Sequence, residues 1–144
     1  MKARSRQDGQ SLVEFSLVVT VFLMLLMAVF DLGRGIYQYN GVSEAAREIA
    51  RVTSVHPCTG SPCTLGNSLE TARVIAIQKT LIPNLGTPAF FCVDIDGTAK
   101  DTTTSCIAGD QLKVVIAAPY GPITPLMGFT GTWNFQSSST VSVQ

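Results

Sequence analysis

The sequence has 144 residues, with ten basic and ten acidic side chains and a formal net charge of zero. This length is enough for one modest domain, and the balanced charge argues against a nucleic-acid partner, which calls for a basic footprint. Hydrophobic residues make up 46% of the chain, and its mean hydropathy of +0.30 is high for a soluble protein.

A long apolar run follows a short basic segment at the start of the chain. Three basic residues stand against one acidic residue before the run, and no charge occurs between Glu14 and Asp31. At 1.5 Å per residue, the stretch from Leu12 to Leu32 spans about 30 Å of hydrocarbon. By the positive-inside rule, the basic segment stays in the cytoplasm and everything after Asp31 lies outside.

Three interpretations of this run compete. A cleaved secretory signal ends in small residues at an Ala-x-Ala-like site, whereas residues 29–33 read VFDLG. A plain signal anchor fits the length and the basic flank. It does not explain Glu14, because a carboxylate within a membrane segment is costly unless it is interfacial or has a partner. In the third interpretation, a peptidase cuts after Gly9.

Such a cut would give Glu14 a partner. Gln10 would then carry a new N-terminal amine, and positions one and five of a helix lie on the same face. In a packed assembly, the Glu14 carboxylate of one subunit could neutralise the amine of its neighbour, in surroundings where an unpaired charge is expensive. Glycine at position 9 suits a peptidase that must bring its catalytic groups close to the backbone.

Three motifs in this order resemble those of one known family. Residues 9–15 are similar to the prepilin cleavage motif of type IV pilin-like proteins, and residues 31–37 and 44–51 resemble the TadE-like pseudopilins of the tight-adherence (Tad/Flp) pilus system. The three stretches read GQSLVEF, DLGRGIY and EAAREIAR. The resemblance covers roughly residues 9–52 and departs from the family pattern at Ile49, where glycine is common.

The resemblance implies a minor pilin or pseudopilin that prepilin peptidase processes between Gly9 and Gln10. A Tad/Flp-type pilus, used for adhesion and surface attachment, would need it for assembly. The implied partners are prepilin peptidase, other pilin or pseudopilin subunits, inner-membrane assembly proteins and the membrane itself. Glu14 would pair subunits. The positions implied for helix packing and the membrane are Leu12, Val13, Phe15, Leu17, Val18, Val21, Phe22 and Leu25.

The implied location is the bacterial inner (cytoplasmic) membrane, with a single pass, the C-terminal domain outside the cytoplasm and a route into an extracellular pilus. The alternative is an uncleaved single-pass anchor that displays a small extracytoplasmic binding domain. No nucleophile, phosphate-loop or nucleotide motif is present. The sequence therefore predicts neither an enzyme nor a cofactor.

Four segments are predicted along the chain: a basic leader at 1–9, a transmembrane and assembly helix at 10–32, its extracytoplasmic continuation at 33–56, and a small disulfide-containing α+β domain at 57–144. One helix would run from about Ser11 to about Val55, with Arg34 anchored at the headgroup level. We expect Gly33 and Gly35 to loosen it there, because each glycine costs about 1 kcal/mol in a helix interior.

All four cysteines follow the apolar run, and an even number outside the cytoplasm indicates disulfides. The expected pairs are Cys58 with Cys63 and Cys92 with Cys106. A zinc site at His56, Cys58 and Cys63 is the alternative, but three ligands at this spacing match no familiar zinc site. The sequence therefore predicts no metal site at these residues.

The rest of the chain predicts a second helix and a small antiparallel sheet packed on the long helix, which makes the fold class α+β. Asn67 or Ser68 would cap the helix, which ends before Pro83. Strands are predicted at 89–95, 111–118, 132–135 and 138–143, with a turn at Asp96-Gly97. Four aspartates hint at calcium, but the full binding-loop pattern is absent and a hairpin turn is favoured. They are Asp94, Asp96, Asp101 and Asp110.

Overall fold

A computed structural model describes residues 7–58, 64–94, 96–100, 106, 109–123 and 131–143. Within these residues, two helices and three strands follow one another: α1 Gln7–Val55, α2 Leu69–Leu81, β1 Ala89–Val93, β2 Gln111–Tyr120 and β3 Trp133–Ser142. The strands form one antiparallel sheet in the order β1-β2-β3. The predicted α+β fold, with a long N-terminal helix, a short helix and a small antiparallel sheet, is confirmed.

Helix α1 has 49 residues, which corresponds to about 74 Å. It continues through Gly33 and Gly35 without interruption, so the loosening expected at these glycines is not seen. Gly35 faces the sheet: a Cβ at this position would lie 3.6 Å from Cζ of Tyr120. This is an ordinary van der Waals distance, so the packing leaves room for a small side chain here.

The second half of α1 supplies one side of the hydrophobic core. Its fully buried apolar residues are Val42, Ala45, Ala46, Ile49 and Ala50. Three of the five are alanines, whose small side chains let the sheet approach the helix axis. This buried face begins at Val42: nearer the apolar run, Ile36 is 62% exposed and Tyr39 is 49% exposed.

The sheet supplies the other side of the core through alternate residues of β2. The buried set is Leu112, Val114, Ile116, Ala118 and Tyr120. Helix α1 contacts both β2 and β3. Opposite Val114 and Ile116, β3 carries Ser139 and Ser137, and these small residues leave room for the helix above them.

β3 corrects the prediction of two final strands. Gln136 and Ser137 pair with Ala117 and Ile116, so residues 133–142 form one unbroken strand. The serine-rich middle is weak in intrinsic strand propensity, but pairing along the full length of β2 overrides it. β1 ends at Val93, two residues earlier than predicted, and β2 continues two residues further.

The shorter β1 is followed by the turn predicted at Asp96-Gly97. The Gly97 N–H donates to the Asp94 carbonyl at 2.8 Å, and the Asp94 N–H donates to the Thr98 carbonyl at 2.9 Å. Gly97 has a φ of +82°, in the left-handed region that glycine adopts at little cost.

Helix α2 begins after Ser68, whose Oγ accepts a hydrogen bond from the Thr71 N–H at 3.1 Å. This is the N-cap arrangement that satisfies an otherwise unpaired backbone donor. The Thr71 hydroxyl also lies 3.1 Å from the hydroxyl of Thr53 on α1, in a buried contact. This hydroxyl pair helps to fix the short helix against the end of the long one.

Disulfide bonds and an ion pair fix loops of the domain. Cys92 of β1 is disulfide-bonded to Cys106. Cys58 is also disulfide-bonded, but Cys63, its predicted partner, lies outside the described residues. Lys100 Nζ lies 2.7 Å from Oδ1 of Asp110, whose side chain is only 5% exposed.

Candidate functional site

The predicted processing motif lies in the first turns of α1. Gln10 and Glu14 share one face of the helix, and Gln10 Nε2 donates to Glu14 Oε1 at 3.4 Å. A Cβ added at Gly9 would meet no other atom within 4 Å. Packing within the described part of the chain therefore gives no reason for glycine at position 9.

The eight positions predicted for helix packing and the membrane are all 50–70% exposed. They are Leu12, Val13, Phe15, Leu17, Val18, Val21, Phe22 and Leu25. Among the described helices, only this one is long and apolar enough to cross a membrane, and none of its most apolar window is buried. A helix that is apolar on all sides needs a cover of lipid or of other helices, and the part of the chain that the structure describes does not supply it.

The sheet meets α1 where the apolar run ends, through hydrogen bonds to Asp31. The Tyr120 hydroxyl donates to the Asp31 backbone carbonyl at 2.6 Å, and the Ile123 N–H donates to Asp31 Oδ1 at 3.1 Å. We call these three residues the clasp. Two turns further along α1, Gln38 Nε2 donates to the Pro119 carbonyl at 3.1 Å, so the end of β2 is held along the helix.

Aromatic side chains surround the clasp. Phe135 stacks on Tyr120 with ring centroids 5.2 Å apart and meets Tyr39 edge to face at 5.9 Å. Arg34 Cζ lies 5.8 Å from the centroid of the Tyr120 ring, within the distance at which a cation is attracted by an aromatic face. The predicted position of Arg34 at the headgroup level is compatible with this arrangement.

An apolar groove of about 710 Å³ lies beside the clasp, between α1 and the ends of β2 and β3. The helix side consists of residues between Val21 and Tyr39. The sheet side consists of Tyr120, Pro122, Trp133 and Phe135. The sequence alone did not reveal this groove, because Trp133 and Phe135 reach α1 only through the pairing of β3 with β2. The only available signal was the presence of aromatic residues at the two strand ends.

Charges away from the groove form local pairs. Arg51 lies 2.7 Å from Glu48, and its hydrogen bond lowers the pKa of the Glu48 carboxyl. The hydrogen bond to Asp110 raises the pKa of Lys100. Asp110, one of the four aspartates that hint at calcium, is thus paired with the ammonium group of Lys100. Asp101, another of the four, lies outside the described residues. Within the described ranges, no three His, Cys, Asp or Glu residues are grouped so that they could hold a metal ion.

The family model described as TadE-like protein matches residues 9–51. The chain is TadE-like over this segment. The match confirms the resemblance seen in the three motifs, and all of it falls within α1. Neither a curated protein nor a solved structure matches the chain.

The TadE-like match indicates a protein associated with a Tad pilus and similar to a minor pilin. The family is a structural component of the pilus and not a family of enzymes. An apolar helix that could span a membrane is consistent with a membrane-anchored pilus component.

Proposed function

We propose that this TadE-like protein is a minor pilin-like subunit that is made as a single-pass precursor in the bacterial inner membrane. Prepilin peptidase cuts it between Gly9 and Gln10, and the mature protein then takes part in the assembly of a Tad/Flp-type pilus for surface attachment. The observation that carries the proposal is the family match over residues 9–51, which includes the apolar first half of α1 that the described residues leave exposed.

Two local features support processing after Gly9. Position 9 is free of packing contacts around its Cα, so its glycine is better explained by an enzyme that must reach the backbone. Cleavage would also leave the new amine of Gln10 one turn from Glu14, on the face where the two side chains already meet. In an assembly, that carboxylate is placed to bind the amine of a neighbouring subunit.

Each segment along the chain has its own proposed role. Residues 1–9 form the leader, residues 10–32 the membrane and assembly helix, and residues 33–56 its continuation outside the cytoplasm. Residues 57–144 form the domain that α1 presents. The exposed apolar residues between Leu12 and Leu25 would contact lipid in the precursor and neighbouring helices in the pilus. Van der Waals packing supplies stability when one apolar cover replaces the other.

The test is to determine the N-terminus of the protein in membranes from a strain with an active prepilin peptidase. We expect the mature chain to begin at Gln10. A Gly9→Val variant should remain uncut while still entering the membrane. Gly33→Ala is the matched control, because it also changes a glycine of α1 with open space around it, and it should be cut normally.

An uncleaved anchor gives the opposite result. The N-terminus would be intact in the presence of the active peptidase, and Gly9→Val would change nothing. That outcome would overturn the proposed processing and favour a single-pass anchor that displays a small binding domain.

A further inference from the structure

The apolar groove beside the clasp continues the membrane-facing surface of α1. Its helix side begins at Val21 and includes Leu25 and Leu32. These residues belong to the stretch that spans about 30 Å of hydrocarbon. One side of the groove thus lies at membrane depth, and the sheet supplies the other side.

We propose that the membrane-facing end of the sheet docks onto the outer leaflet of the bilayer. Phospholipid acyl chains fill the groove, and Trp133 and Ile123 lie at the boundary between the headgroups and the hydrocarbon. This inference rests on the membrane insertion of α1 that the proposed function includes. It adds a second contact with the membrane, made by the extracytoplasmic domain.

The clasp sets the depth of this contact. Asp31 is the first charged residue after the apolar run and therefore marks the outer boundary of the hydrocarbon. Its carbonyl and carboxylate bind Tyr120 and Ile123, so both lie at the same level. Trp133 is the β3 partner of Tyr120 in the sheet register, which brings the indole to this level as well.

The exposed side chains beside the groove are of the types that favour a membrane interface. Trp133 is 51% exposed and Ile123 is 70% exposed. Tryptophan and tyrosine favour the boundary because one end of each side chain is apolar and the other is polar. Arg34, beside Tyr120, adds a cation at the level of the lipid phosphates. The opposite end of β3 has the exposed polar residues Thr140 and Ser142. The strand therefore carries aromatic side chains at the end near the clasp and polar side chains at the far end.

Lipid fits the groove better than a second copy of the chain does. The helix side of the groove lies in hydrocarbon as soon as α1 is inserted in the membrane. Acyl chains therefore reach it without the help of a second protein chain. Contiguous exposed apolar surface of this kind marks a membrane or a protein contact, and here its continuity with the spanning helix favours the membrane. A neighbouring helix in the groove is the competing outcome that the experiment must detect.

Trp133 is the only tryptophan in the chain and can report its own depth. The full-length protein is reconstituted in phosphatidylethanolamine–phosphatidylglycerol vesicles that contain phospholipids brominated either near the headgroup or near the chain ends. We expect blue-shifted emission and a larger loss of intensity with the shallow bromines than with the deep ones. Aqueous iodide should quench the emission weakly.

Two variants in a Trp133→Phe background serve as matched controls. Phe22→Trp places the probe in the middle of the apolar run, where the deep bromines should quench it. Ser142→Trp places it at the far end of β3, where iodide but no brominated lipid should quench it. The first control reports membrane insertion independently of the sheet.

The outcomes separate the inference from the proposed function. If the probe at position 22 is quenched by lipid while Trp133 is quenched only by iodide, α1 is inserted but the sheet does not touch the bilayer, and the inference is overturned. Blue-shifted Trp133 emission that resists both quenchers and increases with the protein-to-lipid ratio means that a second copy fills the groove, which also overturns it. If neither probe meets lipid, membrane insertion itself fails, and the proposed function fails with it.

Discussion

Glu14 is the residue whose role in assembly is most open to a direct test. Its side chain lies on the outer surface of α1, next to the Gln10 side chain. Replacing it with alanine should leave cleavage after Gly9 intact but impair assembly. The N-terminal amine of the neighbouring subunit would then be buried in the pilus without a partner. Breaking a buried ion pair costs about 3–5 kcal/mol, so incorporation into sheared pili should fall by about 100-fold or more.

Glu14→Gln is the control that separates charge from shape. It keeps the size and the hydrogen-bonding oxygen but loses the negative charge, so it should assemble nearly as poorly as Glu14→Ala. Normal incorporation of the alanine variant would show that the proposed charge pair is wrong, and the TadE-like assignment would still stand.

The residue scale also shows how far the sequence alone can lead. Gly9, Gln10 and Glu14 could be singled out because spacing along a helix is a local property. The roles of Gly35 and Asp31 in contacting the sheet could not, because each contact depends on Tyr120, more than 80 positions away in the chain. Such a contact becomes visible only when the strand register is known.

At the scale of elements, the two halves of α1 differ in burial. The apolar first half is largely exposed, while the second half buries a narrow face whose largest fully buried member is Ile49. Ile49→Ala should lower the free energy of unfolding by about 2–5 kcal/mol, because truncation removes apolar contacts and leaves a cavity in a packed core. Denaturant unfolding in detergent micelles, followed by Trp133 fluorescence, would measure the loss.

Arg47→Ala serves as the comparison for Ile49→Ala. Arg47 lies on the exposed face of the same helix, and its truncation should change stability by no more than about 0.5 kcal/mol. Equal losses in the two variants would mean that burial against the sheet does not control stability at this end of α1.

The elements themselves were largely predictable from local signals. Three features depend only on residues that are close in the sequence: the long apolar run, the Ser68 cap and the alternation in β2. β3 was harder, because Gln136 and the serines that follow resemble a break between two strands, and they are strand only because β2 offers a complete set of partners. The groove needed still more information, since it requires the relative positions of three elements.

At the scale of the whole molecule, the clasp connects the sheet to α1 at the end of the apolar run. Gly33 and Gly35 lie between the apolar run and the buried face of α1, at the point where a helix bends most easily. The helix nevertheless continues through them, and Tyr120 and Ile123 bind Asp31 just before the first glycine. We infer that these two hydrogen bonds limit bending of α1 at the glycines.

Removing the clasp should therefore let the molecule bend. In an Asp31→Ala, Tyr120→Phe double variant, two hydrogen bonds of about 0.5–1.5 kcal/mol each are lost, which would raise the population of bent forms by about 5- to 150-fold. Spin labels at Ser16→Cys and Ser138→Cys, both on exposed positions, would report this as a broader distance distribution by pulsed electron paramagnetic resonance. Adding Gly33→Ala should narrow the distribution again, because alanine stiffens the helix where the glycine allowed it to bend. If the double variant gave the same narrow distribution as the parent protein, the other contacts between α1 and the sheet would be enough to limit bending, and the clasp would have no orienting role.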